Sequence, residues 1–284
     1  MAIKKKLRSL FLLIIQGLSY KKVTAQISYL APSRRLEGKK IIITGGGRGL
    51  GAAMAAKFVA EGAAVLIAGR NESVLRDTAN KIGCHYLALD VQDVPSFQKF
   101  IDNADRILGG ADCLVNNAGV SLHEATYFDV TPETFDAQVS TNLKGGFFLA
   151  QCFARLLLKG KRKGNVLFVS SETGDTADIR PYGLTKVAIN SLVQGLACLF
   201  VSEGIRVNAI APGVTASDMT GFKVDGNLFY GNNSVERVYL PDEVAETACF
   251  LLSDASGCIS GQIVVCNNGK TVNTRIGNRI WIQR

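Results

Sequence analysis

The chain has 284 residues, of which 47% are hydrophobic and 20% charged, a balance typical of a globular protein with a sizeable core. Its net charge of +8 comes from the two ends, because residues 1–40 carry ten basic residues against one acid, and residues 270–284 carry four basic residues and no acid. The segment between them is net acidic, which disfavours a nucleic-acid-binding surface.

The seven cysteines stand singly in the sequence, and no two of them form a CxxC pair. Several lie within apolar runs, which is typical of buried thiols in a reducing compartment. Only two histidines, His85 and His123, are present, and neither has the spacing of a zinc ligand. We therefore expect a cytoplasmic protein that binds no metal.

The first 36 residues form a basic extension that precedes the first predicted strand. Apolar side chains over Ile3–Leu18 recur at helical spacing, and basic residues such as Lys4 and Lys5 fall largely on another face. The apolar run is too short to cross a bilayer. Two interpretations stay open: the helix makes a peripheral contact with the inner membrane surface, or it docks on its own domain or on a second subunit. Residues 270–284 form a basic C-terminal tail.

In the rest of the chain, short apolar runs alternate with segments of helical periodicity. Strands are predicted at Lys40–Thr44, Ala64–Ala68, Tyr86–Leu89, Cys113–Val115, Asn165–Val169, Arg206–Ile210 and Gln262–Cys266. Helices are predicted at Ala52–Glu61, Glu72–Ile82, Val94–Ile107, Thr131–Leu158, Tyr182–Glu203 and Asp242–Leu252. This alternation indicates crossover connections. The sequence therefore predicts one α/β domain over residues 37–269, a Rossmann-type doubly wound fold whose mostly parallel, seven-stranded sheet has helices on both faces.

A glycine-rich segment, Thr44-Gly-Gly-Gly-Arg-Gly-Leu-Gly51, connects the first strand to the first helix. Glycines permit a tight turn and a close approach of the backbone to a pyrophosphate, and the helix N-terminus supplies N–H donors and a positive dipole end. A tight turn that binds no ligand is the alternative. The place of the segment between a strand and a helix favours a dinucleotide site.

Three further motifs follow in order: Asn116-Asn117-Ala118-Gly119, Tyr182-Gly-Leu-Thr-Lys186 and Pro212-Gly213. Together with the TGxxxGxG spacing of the glycine-rich segment, they resemble the short-chain dehydrogenase/reductase family over residues 36–270. The stretch that contains Pro212-Gly213 is most similar to that of 3-oxoacyl-(acyl-carrier-protein) reductases. The resemblance implies an enzyme that moves a hydride between a nicotinamide cofactor and a carbonyl or alcohol carbon.

The same resemblance assigns residues to the cofactor. Asp90 and Val91 should flank the adenine, Asn117 should line the cofactor groove, and Thr215 and Ser217 should lie near the nicotinamide carboxamide. The full set of expected cofactor-binding residues is Gly45, Gly47, Arg48, Gly49, Leu50, Gly51, Arg70, Asp90, Val91, Asn117, Ala118, Gly119, Tyr182, Lys186, Pro212, Gly213, Thr215 and Ser217.

The end of the second strand favours NADP(H) over NAD(H). Family members that use NAD have an acid near the position of Gly69 for the ribose hydroxyls, whereas here Arg70 follows the glycine. A guanidinium suits a 2′-phosphate, and Arg48 in the glycine-rich segment could add a second cation. Two solvated surface arginines are the alternative, in which case NAD(H) would be used.

The expected catalytic groups are Ser171, Tyr182, Lys186 and Asn142. Tyr182 and Lys186 are spaced i, i+4, so they share one helix face, and a nearby ammonium should lower the pKa of the phenol. By resemblance, Ser171 should hydrogen-bond the substrate oxygen, and Asn142 should hold a water in the proton relay. A helix cap or kink is the alternative role of Asn142. The segment from Ser171 to Tyr182 is shorter than the family pattern, which alters the substrate pocket.

Three functions remain in view. The first is an NADP(H)-dependent reductase of a ketone or a 3-oxoacyl thioester, and the second is a sugar or polyol dehydrogenase, for example in envelope polysaccharide chemistry. The third, a non-catalytic cofactor-binding scaffold, is disfavoured by the complete set of catalytic residues. The segment Thr220–Arg237 carries aromatic residues among glycines and asparagines, as an apolar substrate lid or a subunit contact would. The family resemblance also implies a homo-oligomer, a dimer or a tetramer, that pairs through Thr131–Leu158 and Tyr182–Glu203.

Overall fold

The structure, a computed structural model, describes residues 22–25, 33–233 and 235–272. Seven strands form one sheet in the order β3-β2-β1-β4-β5-β6-β7, and every neighbouring pair is parallel. They are β1 (Lys40–Thr44), β2 (Ala64–Gly69), β3 (His85–Ala88), β4 (Cys113–Asn116), β5 (Gly164–Val169), β6 (Ile205–Pro212) and β7 (Ile263–Cys266). The prediction of a single domain with a seven-stranded, doubly wound sheet is confirmed.

Helices cover both faces of this sheet. They are α1 (Gly49–Ala60), α2 (Glu72–Ile82), α3 (Phe97–Leu108), α4 (Pro132–Gln138), α5 (Gly146–Lys159), α6 (Pro181–Phe200) and α7 (Pro241–Leu252). Side chains of α3, α5 and α6, such as Phe153 and Val193, pack in the core on one face. Side chains of α1, α2 and α7, such as Met54 and Leu75, form the core on the other face. Each helix thus buries its apolar stripe against the sheet.

Most predicted boundaries agree with the structure to within a few residues, but the long helix predicted at Thr131–Leu158 does not continue as one α-helix. Between α4 and α5, residues Val139–Gly145 form a π-helical turn. The helix predicted from Val94 begins as a 3₁₀ turn, Val94–Ser96, with Pro95 in its first turn, where the missing N–H costs no helical hydrogen bond. Hydrophobic periodicity predicts that a segment is helical, but it does not resolve such changes in helix type.

The helix α6 with its 3₁₀ end, Pro181–Glu203, is by length and composition apolar enough to cross a membrane. It nevertheless buries Lys186, Ile189 and Val193 within the domain. Lys186 also donates a hydrogen bond to the Val169 carbonyl at the end of β5, 2.8 Å away. We therefore assign it as a core helix that carries two of the expected catalytic residues.

The beginning of the domain is fastened by a cluster of charges. Arg35 donates to Glu61 at 2.7 Å and to Glu246 at 2.8 Å, and Lys57 lies 3.0 Å from the same Glu61 carboxylate. The hydrogen bond from Arg35 is the largest cause that lowers the pKa of Glu61 to about 2. The next residue, Leu36, is fully buried. The last residues of the predicted extension therefore belong to the packed domain.

Part of the extension also contacts the segment that follows β6. The Leu228 amide donates to the Val23 carbonyl at 3.0 Å, and the Val23 amide donates to Asn227 Oδ1 at 3.0 Å. Ala25 packs against a small buried cluster formed by Ala216, Leu228, Val238 and Leu240. Residues 22–25 and the predicted lid Thr220–Arg237 therefore share one small lobe. The predicted helix Ile3–Leu18 and the tail beyond residue 272 lie outside the described residues.

Candidate active site

The site lies at the carboxyl edge of the sheet, where four parallel strands end. Strands β1, β4, β5 and β6 finish at Thr44, Asn116, Val169 and Pro212. The glycine-rich turn, the Asn116-Asn117-Ala118-Gly119 motif, Ser171 and Pro212-Gly213 all lie at these ends, and Tyr182 begins the helix after β5. The strand order reverses between β1 and β4, and ligands of doubly wound sheets bind in the crevice at that point.

In the glycine-rich turn the backbone conformation itself requires glycine. Gly45 and Gly49 have φ values of 64° and 51°, in the left-handed region. A Cβ on Gly51 would lie 2.2 Å from the Gly45 carbonyl oxygen, so α1 starts directly against the turn. Gly47 faces α2, where its carbonyl accepts a hydrogen bond from Thr78 at 2.9 Å. A turn this tight before a helix N-terminus, which Leu50 joins as a half-buried residue, fits a dinucleotide pyrophosphate.

The Asn117 amide holds the glycine-rich turn against β4. Its Nδ2 donates to the carbonyls of Thr44 and Gly45, at 2.9 and 3.1 Å. The Thr44 hydroxyl accepts hydrogen bonds from the backbone N–H groups of Asn117 and Ala118, at 3.1 and 3.0 Å. Sequence reasoning expected Asn117 to line the groove, and the structure adds that its side chain bridges two strand ends. A Cβ on Gly119 would lie 3.3 Å from Asn142 Oδ1, so this motif also abuts one of the expected catalytic residues.

The two arginines expected at the 2′-phosphate lie at the ends of neighbouring strands. Arg70 follows β2 and is exposed, and it makes no ion pair within the part of the chain that the structure describes. Arg48 stands at the N-cap position of α1, with a guanidinium nitrogen 3.6 Å from Asp218. Both partners of that pair are largely exposed, so the ion pair is weak and leaves Arg48 able to exchange partners.

The remaining residues expected at the cofactor lie on both sides of these turns. Asp90 is exposed and accepts a hydrogen bond from the Gln92 amide at 3.0 Å, and Val91 packs against Gly145 in the π-helical turn. On the opposite side, Thr215 donates to the Gly213 carbonyl at 2.9 Å. The Ser217 Cβ would be 3.6 Å from a Cβ on Gly49, and a cleft of about 370 Å³ opens between α1 and residues 216–224. Residues 216–224 and the glycine-rich turn thus face each other across this cleft.

Tyr182 lies at the N-terminus of α6 and contacts Ser171 at the end of β5. Burial raises the pKa of Tyr182, and a hydrogen bond with the Ser171 side chain and the nearby Arg180 guanidinium lower it. Arg180 is held by Asp178, to which it donates two hydrogen bonds at 2.9 and 2.6 Å. The shortened segment before Tyr182 therefore places one cation beside the phenol, which the motif alone did not reveal.

Lys186 lies one helical turn after Tyr182, as the spacing predicted, with its ammonium 5.4 Å from the centre of the phenol ring. Burial outweighs the groups that lower the phenol pKa, so the net shift of the Tyr182 pKa is upward. Lys186 is 4% exposed and donates to the Val169 carbonyl at 2.8 Å. Burial lowers the pKa of Lys186 to about 8. Burial is also the largest influence on the pKa of Tyr182, which it raises.

The two serines at the end of β5 have different surroundings. Ser170 donates to Asn190 Oδ1 at 2.6 Å and to the Lys186 carbonyl at 3.3 Å, so it faces α6. The Ser171 hydroxyl instead accepts a hydrogen bond from the Thr173 amide at 3.3 Å, and it lies close enough to Tyr182 to lower the pKa of the phenol. Of the two serines, Ser171 therefore stays the one predicted to meet the substrate oxygen. Sequence reasoning missed Asn190, which lies two helical turns after Tyr182 and could have been found from that spacing.

Asn142 lies within the π-helical turn and is 3% exposed. Its Oδ1 accepts from the Val120 amide at 2.8 Å, and its Nδ2 donates to the Val120 carbonyl at 2.9 Å and to Thr185 at 3.3 Å. The side chain therefore fixes the loop after β4 relative to α6. A small cavity of about 10 Å³, close to the size needed for one water, lies beside Asn142, Lys186 and Asn116.

The described residues, 22–25, 33–233 and 235–272, contain no group of three His, Cys, Asp or Glu side chains placed to hold a metal ion. The donors that converge at the carboxyl edge are instead hydroxyls, amides and an ammonium. Such a set suits a nucleotide and a carbonyl oxygen better than it suits a cation.

Comparisons with known proteins agree with this arrangement. A family model described as enoyl-(acyl carrier protein) reductase matches residues 45–271. A tropinone reductase homologue of Arabidopsis thaliana is 32% identical over 84% of this chain and 95% of its own length. A sorbitol dehydrogenase of Cereibacter sphaeroides is 38% identical over 63% of this chain and 72% of its own length. A 3-ketoacyl-(acyl-carrier-protein) reductase of Brucella melitensis, solved with NADH, superposes with a TM-score of 0.77 at 27% identity, over 84% of this chain and all of the neighbour.

Fold, site and relatives together define the class of protein as an oxidoreductase that acts on CH–OH or C=O groups with a nicotinamide nucleotide. Within that class, the chain belongs to the short-chain dehydrogenase/reductase family, as its motifs had indicated. The match begins at residue 45, so the basic N-terminal extension is not part of the shared family model.

Proposed function

We propose that the protein is an NADP(H)-dependent reductase of a ketone or a 3-oxoacyl thioester, with Tyr182 as its acid–base group. The observation that carries this proposal is the position of the Tyr182 phenol, close to Ser171 and beside the buried Lys186, at the edge where the glycine-rich turn also lies. A hydride donor bound on that turn and a proton donor above it are what reduction of a carbonyl requires.

The residues divide the work as follows. The nicotinamide supplies the hydride when the cofactor is bound. Ser171 donates a hydrogen bond to the carbonyl oxygen and polarises it, and Tyr182 delivers a proton to the same oxygen as negative charge develops there. Lys186 holds a positive charge behind the phenol and stabilises its deprotonated form after the transfer. Asn142 keeps the loop after β4 and α6 in fixed positions, so that the distances between these groups are maintained.

NADP(H) is the favoured cofactor because Arg70 and Arg48 offer two cations near the ribose and no carboxylate occupies the end of β2. A carboxylate there would repel a 2′-phosphate, whereas a guanidinium binds it with two hydrogen bonds. The Brucella melitensis reductase was solved with NADH, so NAD(H) is the alternative.

The apolar lobe over the site favours a ketone or acyl substrate, because four of its residues are buried together and Phe222 and Tyr230 pack edge to face beside them. The second candidate is a sugar or polyol dehydrogenase, which the similarity to a sorbitol dehydrogenase favours. We further propose a cytoplasmic homo-oligomer, a dimer or a tetramer, with any membrane contact confined to the extension.

The experiment is a turnover assay that follows NADPH or NADH absorbance with three probes: ethyl acetoacetate, acetoacetyl-coenzyme A and, in the oxidative direction, sorbitol. We expect reduction of one of the two 3-oxo compounds with NADPH. Tyr182→Phe should lower turnover on the order of 10²–10⁴-fold, the usual range for a positioned proton donor, with NADPH binding by fluorescence nearly unchanged. Arg70→Asp should weaken NADPH binding and leave NADH binding little affected.

A matched control is Tyr86→Phe, which removes a phenol on β3, away from α6. Turnover of Tyr182→Phe within a few-fold of the parent would contradict the acid–base assignment. Tighter binding of NADH than of NADPH would contradict the role of Arg70. Oxidation of sorbitol without reduction of either 3-oxo compound would establish the second candidate instead.

A further inference from the structure

A buried carboxylate lies directly beside the proposed catalytic serine. Glu172 follows Ser171 in the 3₁₀ turn Glu172–Asp175, and only 7% of it is exposed. Its Oε1 accepts a hydrogen bond from the Lys270 ammonium at 2.7 Å, and its Oε2 accepts one from the Asn267 amide at 3.1 Å. A carboxylate is tolerated at such a position only where charged and polar donors compensate its burial, and these two do so.

The other end of the same turn is tied to the same C-terminal residues. The Thr271 hydroxyl donates to the Asp175 carboxylate at 3.3 Å and accepts from the Asn267 amide at 3.0 Å. The turn that follows Ser171 is therefore fastened at both ends to residues 267–271. These residues come immediately after β7 and are about a hundred positions away in the sequence.

Glu172 also contacts the loop on the nicotinamide side of the site. A Cβ on Gly213 would lie 3.1 Å from Glu172 Oε2 and 2.7 Å from the ring of Tyr239, so the Gly213 backbone packs directly against both. Lys270 reaches further, because its ammonium lies 5.8 Å from the centre of the Tyr230 ring in the lid segment. The Glu172–Lys270 ion pair thus contacts the turn after Ser171, the Pro212-Gly213 loop and the predicted lid.

We propose that Glu172 and Lys270 are a positioning pair, which holds the turn after Ser171 and the Pro212-Gly213 loop in place relative to Tyr182. The inference rests on the proposed function, because Ser171 and Tyr182 are the catalytic groups whose separation it fixes. Removal of either charge loosens the turn and leaves the other charge partly buried without its partner. A displacement of the serine hydroxyl by a fraction of an ångström is enough to slow a reaction that depends on alignment.

The two partners should act on Tyr182 in opposite directions, and this separates the pair from a merely structural contact. The groups that face the phenol are Ser171, Arg180 and Glu172, with the Lys186 ammonium over its ring. The Glu172 carboxylate raises the pKa of Tyr182, so its removal lowers that pKa. Removal of the Lys270 charge leaves the Glu172 carboxylate uncompensated and so raises the pKa of Tyr182.

The test compares Glu172→Gln and Lys270→Met in the full chain. Steady-state reduction of ethyl acetoacetate with NADPH gives kcat and KM, and phenolate absorbance gives the titration of Tyr182 as the difference from a matched Tyr182→Phe background. We expect kcat/KM to fall on the order of tenfold in both variants, mainly through kcat. We expect the Tyr182 titration to move by a few tenths of a unit to about one pH unit, downward in Glu172→Gln and upward in Lys270→Met.

Two further variants complete the design. Lys270→Arg keeps the charge and should restore both the rate and the titration. Lys39→Met is the matched control, because it removes one ammonium from an ion pair with Asp254 before β1, at the opposite edge of the sheet, and should change neither. The proposal would be overturned if Glu172→Gln and Lys270→Met had the titration and turnover of the parent. It would also be overturned if both variants shifted the Tyr182 titration in the same direction. If the parent reduces no probe, the proposed function fails, while the opposite titration shifts still support the ion pair and their absence overturns it.

Discussion

Lys186 and Tyr182 are neighbours on α6, and burial favours the neutral form of each by lowering the pKa of Lys186 and raising that of Tyr182. The Lys186 side chain is enclosed between the helix and β5, which lowers its pKa to about 8 from the ordinary value of 10.5. Below about pH 8 both the folded and the unfolded chain hold this proton, so the folded state bears the cost of a buried ammonium. Between about pH 8 and 10.5 only the unfolded chain still holds it, and the stability of the parent therefore rises with pH.

The resulting prediction concerns Lys186→Met, which replaces the ammonium by an apolar side chain of similar length. At about pH 7 we expect the variant to be more stable than the parent by roughly 1–2 kcal/mol, because the gain from removing the buried charge exceeds the loss of the hydrogen bond to Val169. Urea unfolding measures this, and the advantage should shrink as the pH rises from about 8 towards 10.5. Turnover should be lost, because the positive charge behind the Tyr182 phenol is removed.

The control is Lys159→Met at the exposed end of α5, which should change the free energy of unfolding little at any pH. A variant Lys186→Met that is less stable than the parent at neutral pH would show that the ammonium contributes more through its hydrogen bond than its burial costs.

Among the elements, the segment after β6 is supported by the chain's own extension. The Leu228 amide donates to Val23 on one side, and the Val238 amide donates to the Leu228 carbonyl at 2.9 Å on the other. Leu228 itself is 1% exposed, within the small cluster that Ala25 joins. Residues 22–25 therefore act as a strap on the predicted lid, and these four residues pair with no strand of the large sheet.

We predict that two truncations separate the strap from the rest of the extension. Deletion of residues 1–25 should raise the hydrogen-exchange rate of the Leu228 amide by about 3- to 10-fold. The reason is that the hydrogen bond from this amide to the Val23 carbonyl and the contact of Ala25 are lost. Deletion of residues 1–21 keeps the strap and should leave that rate near the parent value. The Tyr230 amide, which donates to Glu236 within the lid, is the internal reference. Equal protection of Leu228 in both truncations would mean that the strap does not stabilise the lid.

For the whole molecule, several apolar side chains on neighbouring helices stay exposed. Phe135 on α4 is 41% exposed, Phe147 on α5 is 40% exposed, and Leu184 and Val187 on α6 are 47% and 42% exposed. Asn142 in the π-helical turn between α4 and α5 donates a hydrogen bond to Thr185 of α6, so these helices are neighbours in the fold. Apolar side chains that recur on one surface are typical of a contact between subunits.

We therefore predict that Phe147→Glu weakens self-association while the monomer still folds. Light scattering at micromolar concentration should give a dimer or tetramer for the parent and a smaller species for the variant, because a carboxylate would be buried without a partner in the interface. Ile107→Glu, at a 37% exposed position on α3, is the matched control and should keep the parent's size. A parent that is monomeric, or a variant that assembles like it, would remove this surface as the interface.

The sequence by itself determined the features that depend on local patterns. Alternating apolar runs and helical periodicity located all seven strands, because a buried parallel strand and an amphipathic helix each have a characteristic period. The glycine-rich turn was recognisable because glycine adopts the left-handed conformation found at Gly45 and Gly49 at the least steric cost. The spacing of Tyr182 and Lys186 placed both on one face of α6, since residues four apart are neighbours on a helix.

Only the tertiary structure decided features that depend on residues distant in sequence. Glu172 meets Asn267 and Lys270 across separations of 95 and 98 residues, and the strap meets Asn227 across 204. The net directions of the Tyr182 and Lys186 pKa shifts follow from burial, which the spacing of the two residues does not give. The π-helical turn at Val139–Gly145 was likewise missed. Desolvation and long-range contacts exist only once the sheet has brought separate segments of the chain together.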